Sequence, residues 1–171
     1  VVVSSIPAWQ DNKQGTKRGA DAMLLIEVDG VRIVHCGDIG QTEFTDEQLK
    51  TLGEVDVLLI PVGGTYTVDG PQAAKLVKQV APRIVVPIHF KTRALNFELA
   101  GVEPFLDAMG SAYQVVQPAG NTLAVSRSNE REDSLNPRVV VLNYLPREIP
   151  GVLLELFVNK EVASAETQNV F

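Results

Sequence analysis

The chain holds two histidines, His35 and His89, and each stands at the end of a predicted strand. His35 opens the run His35-Cys-Gly-Asp-Ile-Gly40, and His89 lies in Val86-Pro-Ile-His-Phe90. In open α/β sheets, sites gather outside the carboxyl ends of the strands. A carboxylate and an imidazole delivered there can share a metal ion. Gly63-Gly64, which follows the apolar run ending at Ile60, lets backbone approach the same place closely. Each residue also has a simpler reading. Asp38 can cap its own Gly-Asp-x-Gly turn, His89 can be a satisfied strand-end histidine, and His35 reads as a packing residue that helps position Asp38. Cys36 reads as a buried small hydrophobe, because no third orienting group is in view for a nucleophile. Gly63-Gly64-Thr65 lacks the Lys-Ser/Thr of a phosphate loop, and no Gly-x-Ser-x-Gly elbow occurs anywhere in the chain. Trp9 and Tyr66 read as residues at a pocket mouth.

The elements that must position these groups are legible one by one. Ala22-Met-Leu-Leu-Ile-Glu-Val28 and Val31-Arg-Ile-Val-His35 flank Asp29-Gly30, so they predict a β-hairpin with a type I′ turn. Thr45 and Gln48 have capping-box spacing, with Phe44 and Leu49 at staple positions, which predicts a helix stopping at Gly53. Val55-Asp-Val-Leu-Leu-Ile60 and Arg83-Ile-Val-Val-Pro-Ile88 are short apolar runs, the mark of strands buried on both faces. Between them Ala73, Leu76, Val77 and Val80 recur at helical spacing after Asp69-Gly70-Pro71. Strand, helix and strand at these lengths predict a right-handed βαβ unit. A shorter helix is expected around residues 104–109, and strands near residues 113–116 and 122–125.

Two units follow from this reading, residues 1–128 and an extension over residues 129–171. The polar stretch Ser126-Arg-Ser-Asn-Glu-Arg-Glu-Asp-Ser-Leu-Asn-Pro137 reads as the linker. The extension is expected to form a β-hairpin from Arg138-Val-Val-Val-Leu-Asn-Tyr144 and Val152-Leu-Leu-Glu-Leu-Phe-Val158, with a frayed end.

Composition narrows the function classes. The chain has 171 residues and a net charge of −6, which argues against a nucleic-acid partner. Apolar residues make up 45%, ordinary for a folded domain, yet no apolar run approaches the ~18 residues that span a bilayer, so no membrane partner is expected. A single cysteine excludes an internal disulfide and suits a reducing, cytoplasmic compartment. The sequence opens on Val1-Val-Val-Ser4, inside a predicted strand, and so reads as a piece of something longer.

Taken together and in order, Ile6-Pro-Ala-Trp-Gln-Asp11, Lys17-Arg-Gly19, His35-Cys-Gly-Asp-Ile-Gly40, Asp56-Val-Leu-Leu-Ile-Pro-Val-Gly-Gly-Thr65 and Pro87-Ile-His-Phe90 resemble the metallo-β-lactamase superfamily. The nearest likeness is to its broad branch of metal-dependent hydrolases that includes the lactonase type. The resemblance implies an α/β fold, the second half of a four-layer αβ/βα sandwich, here with a C-terminal β extension. It further implies that Asp38 is the metal-binding and catalytic carboxylate and His89 the last histidine ligand. The implied cofactor is a divalent metal, zinc or alternatively manganese, and the implied substrate is a small molecule. No substrate contact can be named from the residues.

Two departures accompany the match. The family's His-x-His-x-Asp-His segment is not in this sequence, and Gln10 stands where relatives carry a metal-binding histidine. An amide is a poor zinc ligand beside imidazole. Two recognised ligands fall short of the usual three plus water, so metal is expected to be weakly held or absent in this chain alone, and the chain alone inactive. One reading is therefore the C-terminal portion of a hydrolase acting on an ester, lactone, amide or phosphodiester through metal-activated water. The other is a non-catalytic module that keeps the half-fold without a working metal. Either way, the buried strands need cover on their second face, so self-association or pairing with an N-terminal half is expected.

Overall fold

Alternating residues make the first three strands a meander. β1 (Val2–Trp9) pairs antiparallel with β2 (Ala20–Val28), and β2 with β3 (Val31–His35). Asp29 and Gly30 join β2 to β3 with φ of 47° and 81°, the left-handed pair a type I′ turn requires. In this computed structural model, residues 1–126 and 136–144 are described.

Helix α1 (Asp46–Leu52) starts on the expected capping box, with Gln48 N–H donating to Thr45 Oγ1 at 3.1 Å and Thr45 N–H to Gln48 Oε1 at 2.9 Å. Gln48 does more than cap. Its buried amide also donates to the Pro7 carbonyl at 2.8 Å, tying α1 to β1. Strand β4 (Val57–Pro61), helix α2 (Gly70–Val80) and strand β5 (Ile84–Ile88) form the predicted βαβ unit, with β4 and β5 adjacent and parallel. Lys75 and Lys78 face solvent, whereas Ala73, Leu76 and Val77 are buried. Helix α3 (Glu103–Met109) and a single 3-10 turn lead to β6 (Gln114–Val116).

The next strand, β7 (Arg138–Val140), enters the same sheet between β5 and β6, parallel to both, so the order is β1-β2-β3-β4-β5-β7-β6. The linker expected near residue 128 and the second arm of the expected terminal hairpin, residues 152–158, lie outside the described residues. The first arm of that hairpin is thus a strand of the main sheet, where Arg138 N–H donates to the Arg83 carbonyl at 3.0 Å.

A buried carboxylate aligns the amino ends of the central strands. Asp56 accepts the Arg32 N–H at 2.6 Å and the Arg83 guanidinium at 2.6 Å, so one side chain touches the starts of β3 and β5. Such a pair is costly to desolvate, and removing either partner would strand the other.

Each face of the sheet carries its own core. Met23, Leu25, Val34, Leu58, Ile60 and Val85 pack with the helical residues Leu52, Leu76, Val77 and Phe105. On the opposite face Val31, Ile33, Val57, Leu59, Ile84 and Val86 form a second cluster, covered by Val125 and flanked by Leu123 and Leu142. This corrects the strand expected at residues 122–125. Burial there does alternate, with Val125 at 4% exposure between exposed Ala124 and half-buried Ser126, but the segment forms no ladder with any described residue. It lies on the second face as a lid, since the place beside β5 belongs to β7. Among the described residues no helix is long and apolar enough to cross a membrane.

Candidate metal-binding site at the carboxyl ends of β3 and β5

Strand β3 does not end abruptly at His35. Cys36 N–H still donates to the Leu59 carbonyl at 2.9 Å, which holds the chain against β4 until Gly37 turns it outward at φ 60°. Asp38 therefore emerges at the edge of the sheet with its side chain 61% exposed. From two strands away, His89 leaves β5 with φ 51°, a left-handed conformation uncommon for a residue with a side chain. Gly63 holds it there: its N–H donates to the His89 carbonyl at 2.9 Å, and a Cβ on Gly63 would collide with that oxygen.

The outcome is that His89 Nδ1 stands 3.9 Å from Asp38 Oδ1. The two residues singled out in the sequence thus meet, although each is carried by a different strand. Beside them runs a groove of about 670 Å³ lined by His35, Leu59, Val86, Ile88, His89 and Phe97 among others.

A second acidic residue was not foreseen. Asp21 keeps phase with Met23 and Leu25 in β2, the face that packs into the core, and an acid at such a position is the signal that could have found it. Burial pushes its carboxyl above the ordinary range, opposed by the N–H of Ala22; the Asp38 charge adds to the rise, and the Asp38 N–H opposes it. Oδ2 of Asp21 is buried without a hydrogen-bond partner. Gly37 makes room for this carboxylate, because a Cβ there would lie 2.8 Å from Asp21 Oδ1.

The rim is set by the loop after β1. Asp11 is buried and accepts four backbone N–H groups, from Lys13, Gly15, Lys17 and Arg18, at 2.7 to 3.0 Å. Burial alone would raise its carboxyl, but these four donors hold it below the ordinary value. Trp9 O accepts from Gly40 N–H at 2.9 Å, which places Gln10 next to the Asp38 turn. Trp9 itself lines a smaller hollow with Pro7, Thr45 and Gln48, away from the groove. Tyr66 stacks on Phe97 with ring centroids 6.1 Å apart and carries the Arg18 guanidinium at 4.9 Å. Cys36 is fully buried, and burial pushes its thiol up, so it is inert as a nucleophile.

As a metal site this set is incomplete. Among the described residues no group of three or more His, Cys, Asp or Glu is arranged to hold a metal ion. Asp38 and His89 fit two positions of a metal centre and do not fill one, since catalytic zinc takes three protein ligands and a water.

Residues 1–89, more than half of the chain, match the beta-lactamase superfamily domain. The chain belongs to this superfamily. It is similar to proteins named UPF0173 metal-dependent hydrolase, with 38% identity over 95 residues in Thermococcus onnurineus and 33% over 124 residues in Carboxydothermus hydrogenoformans. Those alignments cover 54% and 68% of this chain but 42% and 53% of the relatives, so the chain spans about half the length of the curated relatives it matches. A solved structure from Thermotoga maritima, named for a Zn-dependent hydrolase of the metallo-beta-lactamase superfamily, superposes with TM-score 0.58 at 26% identity, covering 82% of this chain and 63% of that one. The α/β fold of the superfamily is thereby established for this chain. These relatives are named for metal dependence, and Asp38 and His89 are the residues that the sequence resemblance marks as ligands.

Proposed function

We propose that this chain is the C-terminal portion of a divalent-metal hydrolase, in which Asp38 and His89 are two of the ligands and zinc is the metal. The observation that carries the reading is the 3.9 Å approach of Asp38 Oδ1 to His89 Nδ1 at the carboxyl edge of a parallel sheet. A divalent ion, when bound, supplies Lewis acidity and draws the pKa of water towards ~7, which suits hydrolysis of an ester, lactone, amide or phosphodiester. The chain's own residues orient and exclude. Asp38 holds its carboxylate outward on the Gly37 turn, Gly63 holds the backbone of His89, and the apolar groove sheds water around a small-molecule substrate. Since the chain spans about half of its relatives, the remaining ligands belong to a preceding half. A reducing compartment, the cytoplasm, suits the buried, unpaired Cys36.

The gathering of no third ligand among the described residues favours a second reading, a module that keeps the half-site without holding metal. Titration of the full chain with Zn²⁺, followed by elemental analysis after dialysis and by the His89 imidazole resonances, separates the two. The hydrolase reading expects weak binding, below one ion per chain, abolished in Asp38→Asn and His89→Ala. Binding that neither variant alters sinks it, and no binding at millimolar Zn²⁺ favours the module.

A further inference from the structure

The loop that carries Asp38 is an arch with two feet. One foot stands on β4, where Cys36 N–H meets the Leu59 carbonyl. The other stands on β1, where Gly40 N–H and Gln41 N–H donate to the Trp9 carbonyl at 2.9 and 3.2 Å. Strand β2 lies between β1 and β3, so the arch passes over its first residues, with Asp21 seated beneath Gly37. At the crown the Ile39 carbonyl accepts the Val68 N–H at 2.9 Å. The Asp38 side chain is exposed, so its aim depends on how the span beneath it is held.

A buried side chain completes the far foot. Gln41 is 4% exposed, and its Oε1 accepts the Trp9 N–H at 3.2 Å, so one residue binds both backbone groups of Trp9. The same amide pairs with Gln48. Gln41 Nε2 donates to Gln48 Oε1 at 2.8 Å, and Gln48 Nε2 donates back to Gln41 Oε1 at 3.2 Å. Gln41 Nε2 also donates to the Glu43 carbonyl, while Gln48 serves the Thr45 N–H and the Pro7 carbonyl. Every donor and acceptor of the two amides is thus filled inside this chain. The network fixes the sense of the amide too, since a flipped Gln41 would turn its NH₂ toward the Trp9 N–H.

We propose that Gln41 is a positioning residue for Asp38, its buried amide fixing the arch on β1 and so setting the carboxylate against His89. This rests on the hydrolase reading, which makes those two residues ligands. Gln41 carries no charge and moves no proton. It acts through the loop, because a fully satisfied buried network stiffens the segments it joins.

Gln41→Met and Gln48→Met make the comparison. Each side-chain amide makes four hydrogen bonds, so either loss costs stability, but only the first releases the arch from Trp9. Adding Asp38→Asn to the full chain at fixed pH should displace the His89 ring resonances. In the Gln41→Met background that displacement should fall by about half or more, and in the Gln48→Met background it should persist. The Zn²⁺ dissociation constant should rise roughly three- to tenfold in Gln41→Met and less than about twofold in Gln48→Met. Gln41→Asn keeps an amide with one methylene less reach, and decides the question where Gln41→Met does not fold. An undiminished displacement in the folded Gln41 variant, an equal loss in Gln48→Met, or no displacement in the parent chain overturns the proposal. A parent that binds no Zn²⁺ while the displacement still depends on Gln41 counts against the hydrolase reading alone.

Discussion

Gly63 and His89 are locked backbone to backbone. The Gly63 N–H donates to the His89 carbonyl at 2.9 Å, and the space a side chain would need at Gly63 is occupied by that same oxygen. His89, held at φ 51°, is thus supported backbone to backbone by a neighbouring strand's exit loop. The Gly63 carbonyl in turn accepts the Ala100 N–H at 2.9 Å, so the support reaches the segment before α3.

Gly63→Ala is therefore expected to displace the turn after β5. An overpacked contact of this kind costs roughly 1–3 kcal/mol, and here it falls on backbone that cannot swing away. Urea denaturation should show the loss of stability, and the His89 imidazole resonances should move. Wild-type stability with unmoved His89 signals would mean that the loop yields freely.

Gln10→His should raise divalent-metal affinity in the protein that carries the complete ligand set. Gln10 lies beside Gly40 through the bonds that Trp9 makes to the Asp38 loop, and imidazole is a far better ligand than a neutral amide. Titration calorimetry with Zn²⁺ on both forms measures the difference. Equal affinities would show that position 10 faces away from the metal.

Two carboxylates should give opposite responses to pH. The Asp11 carboxyl is held below the ordinary 3.8, so its contribution to the folded loop is complete above that value and is lost as pH falls through its depressed folded value. Asp21 is raised above 3.8 by burial, so the native state takes up its proton first and stability declines as pH climbs from 3.8 through the raised value. The fluorescence of Trp9, the single tryptophan, should report the acid loosening of the neighbouring loop. Asp21→Asn should flatten the decline on the higher-pH side while leaving the acid arm intact. A decline that survives in that variant would assign it to another group.

Self-association should begin at β1. Among the described residues this strand pairs only with β2, and Val2 and Val3 are 58% and 59% exposed. Edge strands of this kind invite further pairing, and an added lysine discourages it. Light scattering on the full chain should find species above monomer mass that diminish in Val3→Lys. A monomer in both forms would show that the edge is harmless.

Local signals were legible because their causes are local. The turn at Asp29-Gly30, the capping box at Thr45, the helix start near Asp69 and the βαβ unit between Val57 and Ile88 each depend on residues a few places apart, and all appear as read. The sequence by itself also singled out Asp38 and His89, through the ordered motifs that resemble the superfamily. Only the tertiary structure decided that these two stand 3.9 Å apart, because their distance depends on the parallel register of β3, β4 and β5. It likewise placed β7 beside β5 and laid Val125 across the second face, where an alternating pattern in the sequence is the same for a paired strand and an unpaired lid. Asp21 was hidden for a related reason: a lone acid reads as solvated until the strand's phase shows that it points inward, under the turn that carries Asp38.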